Sequence, residues 1–230
     1  MSKLERSSRE RRMYRRIRNC VGYLGVILPW IALFSAGICE HPGYDWWWSI
    51  SATYYQTFAI AGVLVPASIV LITYIGYDAL DNWVTTLSGI FGLGVVLFPC
   101  KVSWIPNGTP VGFFHVPIEI SHILHTCCAS LFFLLIAFNS IFLFTKSIKS
   151  QTKHKQIRNN IYRICGWSMI GLEVFLGITK LIGAPGYWTL IIEIPLLNLF
   201  GIAWLVKGET FKFLNDTPEE KEKQQVLSRD

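Results

Sequence analysis

Long apolar blocks, separated by short polar stretches, set the pattern of this chain. Six of them can be drawn, over residues 20–39, 57–77, 83–100, 118–145, 161–182 and 187–206. Each is close to the ~20 residues that cross a bilayer as a helix. Backbone N–H and C=O groups cannot stay unpaired in hydrocarbon, so each block is predicted to be helical. The expected fold is all-α: a polytopic membrane protein built as a six-transmembrane-helix bundle. Residues 1–19 form a basic tail, 20–207 the membrane domain and 208–230 a polar tail. The stretch "NDTPEEKEKQQVLSRD" is charged and poor in apolar residues, which predicts disorder.

Composition and charge sharpen this picture. The chain is 52% hydrophobic and 16% charged, against about 25% charged for a soluble domain. Of the 21 Lys and Arg, eight precede the first block, six lie from the end of the fourth block into the start of the fifth (Lys146 to Arg163), and five follow the sixth. Only Lys101 and Lys180 fall on the opposite side. Basic residues mark the cytoplasmic side. Both termini are therefore expected in the cytoplasm, with the protein integral to the plasma membrane, or to the inner membrane if bacterial. The run "RERRMYRRIR" needs no nucleic acid: beside a first membrane helix it orients that helix and rests on anionic head groups. Membrane lipids are the expected partners. The first block exceeds the 7–15 apolar residues of a cleavable signal and reads as a retained anchor.

The six cysteines form no CxxC pair and suggest no metal framework. Cys39 and Cys100 both end their blocks on the outer side, where a disulfide between them is one reading. Small buried apolar cysteines are the other. The first outer loop, 40–56, carries "WWWSISATYY", an aromatic group that reads as an interfacial belt or as a lid over a cavity. The second, 101–117, holds three prolines and two glycines and includes an "NGT" sequon at Asn107. Pro29, Pro66, Pro99 and Pro195 predict kinks. Gly22, Gly25, Gly89, Gly92 and Gly94 predict close helix contact.

Candidate chemistry gathers at the outer ends of the helices. Glu119, His122 and Thr126 share a face, with His125 on its edge. At ~1.5 Å per residue, His125 lies ~10 Å, Glu173 ~13 Å and Glu193 ~9 Å below the outer boundary. Ionisable groups at that depth are costly and are by default candidates for function. A ligand pocket would draw on Glu173, Glu193, His122, His125, Glu40 and Asp45. Zn²⁺ accepts N and O ligands, and His122, His125 and Glu193 are the residues to hold it. However, the histidines are three apart and no HExxH is present. A hydrolase would use Ser49 or Ser51 as nucleophile, His122 or His125 as base and Glu119 to orient it, without a GxSxG elbow. A proton-coupled carrier would use the same Glu and His residues as a relay.

The segments "WWWSISATYY", "GIFGLGVVLFP" and "HILHTCCASLFF", in that order, resemble a group of six-helix bacterial membrane proteins of unknown function. These are similar in turn to the DRAM autophagy modulators and the Frag-type GPI-remodelling proteins. The matching positions are Ser49, Ser51, Phe98, Pro99, His122 or His125, and Phe132. Bacterial members tend to carry an acid after the Phe-Pro pair, where this chain has Cys100 and Lys101. The resemblance spans roughly residues 20–145 and implies a lipid-related membrane role.

Overall fold

The structure is a computed structural model and describes residues 3–39, 46–146, 152–217 and 219–220. Six α-helices account for nearly all of it: α1 (Lys3–Ile38), α2 (Ala59–Thr73), α3 (Ala79–Leu97), α4 (Ile118–Phe138), α5 (Lys153–Leu181) and α6 (Tyr187–Lys207). Each packs against its neighbours in sequence, and α6 closes the ring on α1. Five of the six are long and apolar enough to cross a membrane. Large apolar side chains such as Phe34, Trp83, Ile164 and Leu181 point away from the bundle and are more than half exposed. On a water-soluble domain such a surface would be an anomaly; here it is the face that meets lipid. The chain is a multi-pass integral membrane protein.

Two helices depart from the sequence reading. The second, at 15 residues, is about 22 Å long, short of a ~30 Å hydrocarbon core. It ends early because residues 74–78 make a cap for α3. Asp78 accepts the Asp81 N–H at 3.0 Å, Asp81 accepts the Tyr77 N–H at 3.0 Å, and Asn82 accepts the Gly76 N–H at 2.7 Å. A Cβ on Gly76 would lie 2.3 Å from that of Asp81, so the turn requires glycine. Conversely, α1 starts well before the first apolar block and runs through the basic segment without a break. Pro29, Pro66 and Pro195 fall inside helices. Pro99 does not, since α3 ends at Leu97.

The basic part of α1 and the residues that follow α6 meet at one end of the bundle, termed proximal. Arg15 pairs with Glu209 at 2.7 Å, and the Thr210 hydroxyl donates to the Asn19 side chain at 2.8 Å. The acidic α2–α3 turn finds its expected basic partner: Lys146 reaches both Asp78 and Asp81 at 2.7 Å. That bond from Lys146 holds the Asp78 carboxyl below the usual carboxylate range. Arg158 donates to the Leu214 carbonyl at 2.5 Å and pairs with Asp216 at 3.0 Å. The first part of the C-terminal tail is therefore docked, contrary to the disorder expected from its composition. An apolar centre joins the helices, with Leu71, Ile136, Met169, Leu196, Phe200 and Trp204 fully buried. Since lipid is as apolar as these side chains, close packing rather than hydrophobic exclusion holds such helices together. Accordingly α1 and α6 touch backbone to backbone at Gly22, Gly25 and Gly201.

Candidate functional site at the distal end

At the opposite, distal end, α3 stops because Pro99 has no N–H to continue it. The last carbonyls of a helix lack partners within it, and here α4 supplies them. Ser121 and His125 are four residues apart and share one face. The Ser121 hydroxyl donates to the Pro99 carbonyl at 2.7 Å. His125 Nδ1 sits 2.8 Å from the Phe98 carbonyl and 3.1 Å from that of Val95. Carbonyls only accept, so Nδ1 carries the hydrogen. In the neutral ring, Nε2 then presents a lone pair. That lone pair faces the hydroxyl of Ser51, 3.1 Å away.

Ser51 belongs to a short 3-10 helix (Ser51–Tyr55) in the first distal loop. Glu193 on α6 holds the start of this helix. Its carboxylate accepts the Ile50 N–H at 2.5 Å and the Ser51 hydroxyl at 3.2 Å, and the Ser51 N–H also donates to it. The serine has one hydrogen and two acceptors. It can donate to His125 or to Glu193, and satisfies both only if the network takes up one more proton. His125, Ser51 and Glu193 thus form one joint between α4, the loop and α6, and His125 is buried within it.

These three residues line a cavity of about 590 Å³. Glu173, His122, Lys101 and Lys180 line it as well, so three helices and one loop contribute ionisable groups to one space. Its remaining wall is largely apolar and includes Trp48, Trp104, Phe133, Leu176 and Leu196. Trp48 lies flat on Gly186, where a Cβ would sit 2.8 Å from its ring. Lys180 donates to Thr189 at 2.6 Å, and Glu173 is hydrogen-bonded to Ser130. His122 Nδ1 accepts the Lys101 N–H at 3.3 Å, which leaves the hydrogen of the neutral ring on Nε2.

Other candidates take structural roles. Glu119 turns away from both histidines and accepts the Gly108 N–H at 3.1 Å, so it does not orient a base. That contact pins the "NGT" stretch, which is a tight turn: Gly108 has φ +78°, and the Thr109 N–H donates to the Pro106 carbonyl at 3.3 Å. Thr126 bonds its own helix at the His122 carbonyl. Ser49 accepts the Ala52 N–H at 3.0 Å and caps the 3-10 helix; it is not placed as a nucleophile. Glu40 and Asp45 lie outside the described residues. Cys39 and Cys100 are both free thiols rather than a disulfide. Cys100 is buried, and burial, with the nearby Glu193 charge, pushes its thiol up to about 12.

Zinc does not fit His122, His125 and Glu193 as they stand. Both ring nitrogens of His125 are already in hydrogen bonds, and the Glu193 oxygens accept from the loop. Among the described residues, no group of three or more His, Cys, Asp or Glu is placed to hold a metal ion. Sequence reasoning missed Ser121, whose i, i+4 relation to His125 was visible. It also missed the carbonyls that this pair serves, which no side-chain pattern announces. The chain matches no protein-family model, no curated protein and no solved structure.

Proposed function

We propose that the distal cavity receives the head group of an anionic lipid, on the exterior side of the membrane. One observation carries this reading. Lys101 and Lys180, which stand apart from the basic proximal end, both line the same cavity, beside the His122 ring. An apolar wall with two ammonium groups at its mouth suits an amphiphile whose polar end is negative. The excess of Lys and Arg at the proximal end supports placing the distal end outside. The resemblance to DRAM and Frag-type proteins points to the same lipid setting. A proton-coupled carrier would need the cavity to continue toward the proximal face. Instead, Phe133 and Leu196 line its depth, and Ile136, Met169 and Phe200 fill the bundle beyond.

Purified protein is expected to bind phosphatidylglycerol in preference to phosphatidylcholine, measured by native mass spectrometry from mixed micelles. Replacing Lys101 or Lys180 with Gln should weaken binding about tenfold each, the scale of one charge-assisted hydrogen bond. Equal retention of both lipids, unchanged by the variants, would rule the head-group reading out. Displacement of the lipid by millimolar inorganic phosphate would reassign the site to a free anion.

A further inference from the structure

We infer that Ser51 is an acyl-accepting nucleophile and that the site cleaves an ester joining an anionic head group to an apolar acyl chain. The inference rests on the head-group reading for its substrate class, but its chemistry has separate support. Three observations meet at this serine. First, the carbonyls of Val95 and Phe98 fix the tautomer of His125, so that Nε2 is the basic nitrogen, and Ser51 Oγ lies 3.1 Å from it. A base within hydrogen-bond reach, itself oriented by a third group, is the arrangement that activates a serine. Here backbone carbonyls do the orienting.

Second, Ser51 stands between two spaces of opposite character. On one side is the cavity with Lys101 and Lys180 at its rim. On the other is an apolar slot of about 50 Å³ between Leu28, Ile60, Leu64, Phe132 and Leu197. Ser51, Ala129, Phe133 and Glu193 line both. A molecule with its negative end at the lysines and the start of its acyl chain in the slot would place its ester at Ser51. Third, Glu193 holds the serine from the other side through the adjacent backbone N–H groups, which fixes the backbone that carries the hydroxyl beside His125. Glu193 is thus a positioning residue.

The reaction balances with water as the only co-reactant. Ser51 Oγ attacks the ester carbonyl carbon while its proton passes to His125 Nε2. The C–O bond to the alcohol breaks, and His125 returns the proton to that leaving oxygen. Water then attacks the acyl-serine through the same base, releasing the carboxylic acid and regenerating the hydroxyl. Donors for the carbonyl oxygen as it gains charge are available in the same cavity, at His122 Nε2 and the two ammonium groups.

A fluorophosphonate probe with a plain alkyl arm tests the nucleophile apart from head-group binding, since it carries no anionic group. The full chain in detergent micelles should become labelled, with the adduct mapping to Ser51 and absent in Ser51→Ala. His125→Gln, which keeps a donor toward the carbonyls, should slow labelling by about 100-fold or more, the usual contribution of a general base. Retained phosphatidylglycerol binding shows in each variant that the fold is intact. Binding without labelling, or labelling at another serine, overturns the inference and leaves the head-group reading standing. Labelling at Ser51 without lipid binding sustains the nucleophile and removes the assigned substrate.

Discussion

Glu193→Ala is expected to lower the thermal unfolding midpoint of the detergent-solubilised protein by roughly 6–12 °C. The carboxylate accepts the Ile50 N–H at 2.5 Å, the Ser51 N–H and the Ser51 hydroxyl. Alanine leaves these donors facing an apolar slot without a partner. A stranded buried donor costs about 1–3 kcal/mol, and hydrogen bonds to a charged group lie at the upper end. A total near 3 kcal/mol corresponds to that midpoint shift for a chain of this length. Glu193→Gln keeps an acceptor oxygen and should lose about half as much. Glu173→Gln is the comparison: that carboxyl lines the same cavity but is hydrogen-bonded only to a side chain, Ser130, and its loss should be under about 1 kcal/mol. Equal effects at Glu193 and Glu173 would show that the loop is not held by α6.

Gly201→Val should be at least as damaging, by a different route. A Cβ at this position lies 2.6 Å from the Val26 nitrogen and 2.7 Å from the Gly22 carbonyl oxygen. Both are backbone atoms of α1, so no side chain can swing aside. The two helices would have to separate along the contact that closes the ring. Overpacking costs about 1–3 kcal/mol where side chains can adjust, and valine against backbone should reach or exceed the upper figure. Gly171→Ala is the control. Nothing lies within 4 Å of a Cβ there, and removing a helical glycine should be neutral or stabilising by up to about 1 kcal/mol. Unfolding midpoints of the two variants, measured side by side, check the contact. Similar values for both would mean that α1 and α6 do not approach so closely.

The helices were legible in the sequence because each is specified locally, by a run of apolar residues and the charges flanking it. Glycines such as Gly22 and Gly25 were legible too, since a small residue on an apolar helix suggests contact without saying with what. Gly201, their partner on α6, was not singled out. At the site, depth along each helix brought His125, Glu173 and Glu193 to one level, and the structure gathers all three around one cavity. What spacing could not supply was the identity of the partners. Glu119 sits on the same helix face as His122, yet its reach goes to a loop N–H that only the folded turn presents. His125 is committed to carbonyls left over at the end of α3, and every residue type carries such groups. Ser51 and Ser49 are two residues apart and chemically alike. Only the placement of α4 and α6 makes one of them a shared donor and the other a cap.

The account turns on His125 and Glu193, on separate helices, being joined through the single hydroxyl of Ser51. A double-mutant cycle on unfolding free energy measures that joint directly, using His125→Gln, Glu193→Gln and the pair. The expected coupling is at least about 0.5 kcal/mol, the threshold for residues sharing one network, and it should vanish when the cycle is repeated with Ser51→Ala. Simple additivity with Ser51 present would contradict it.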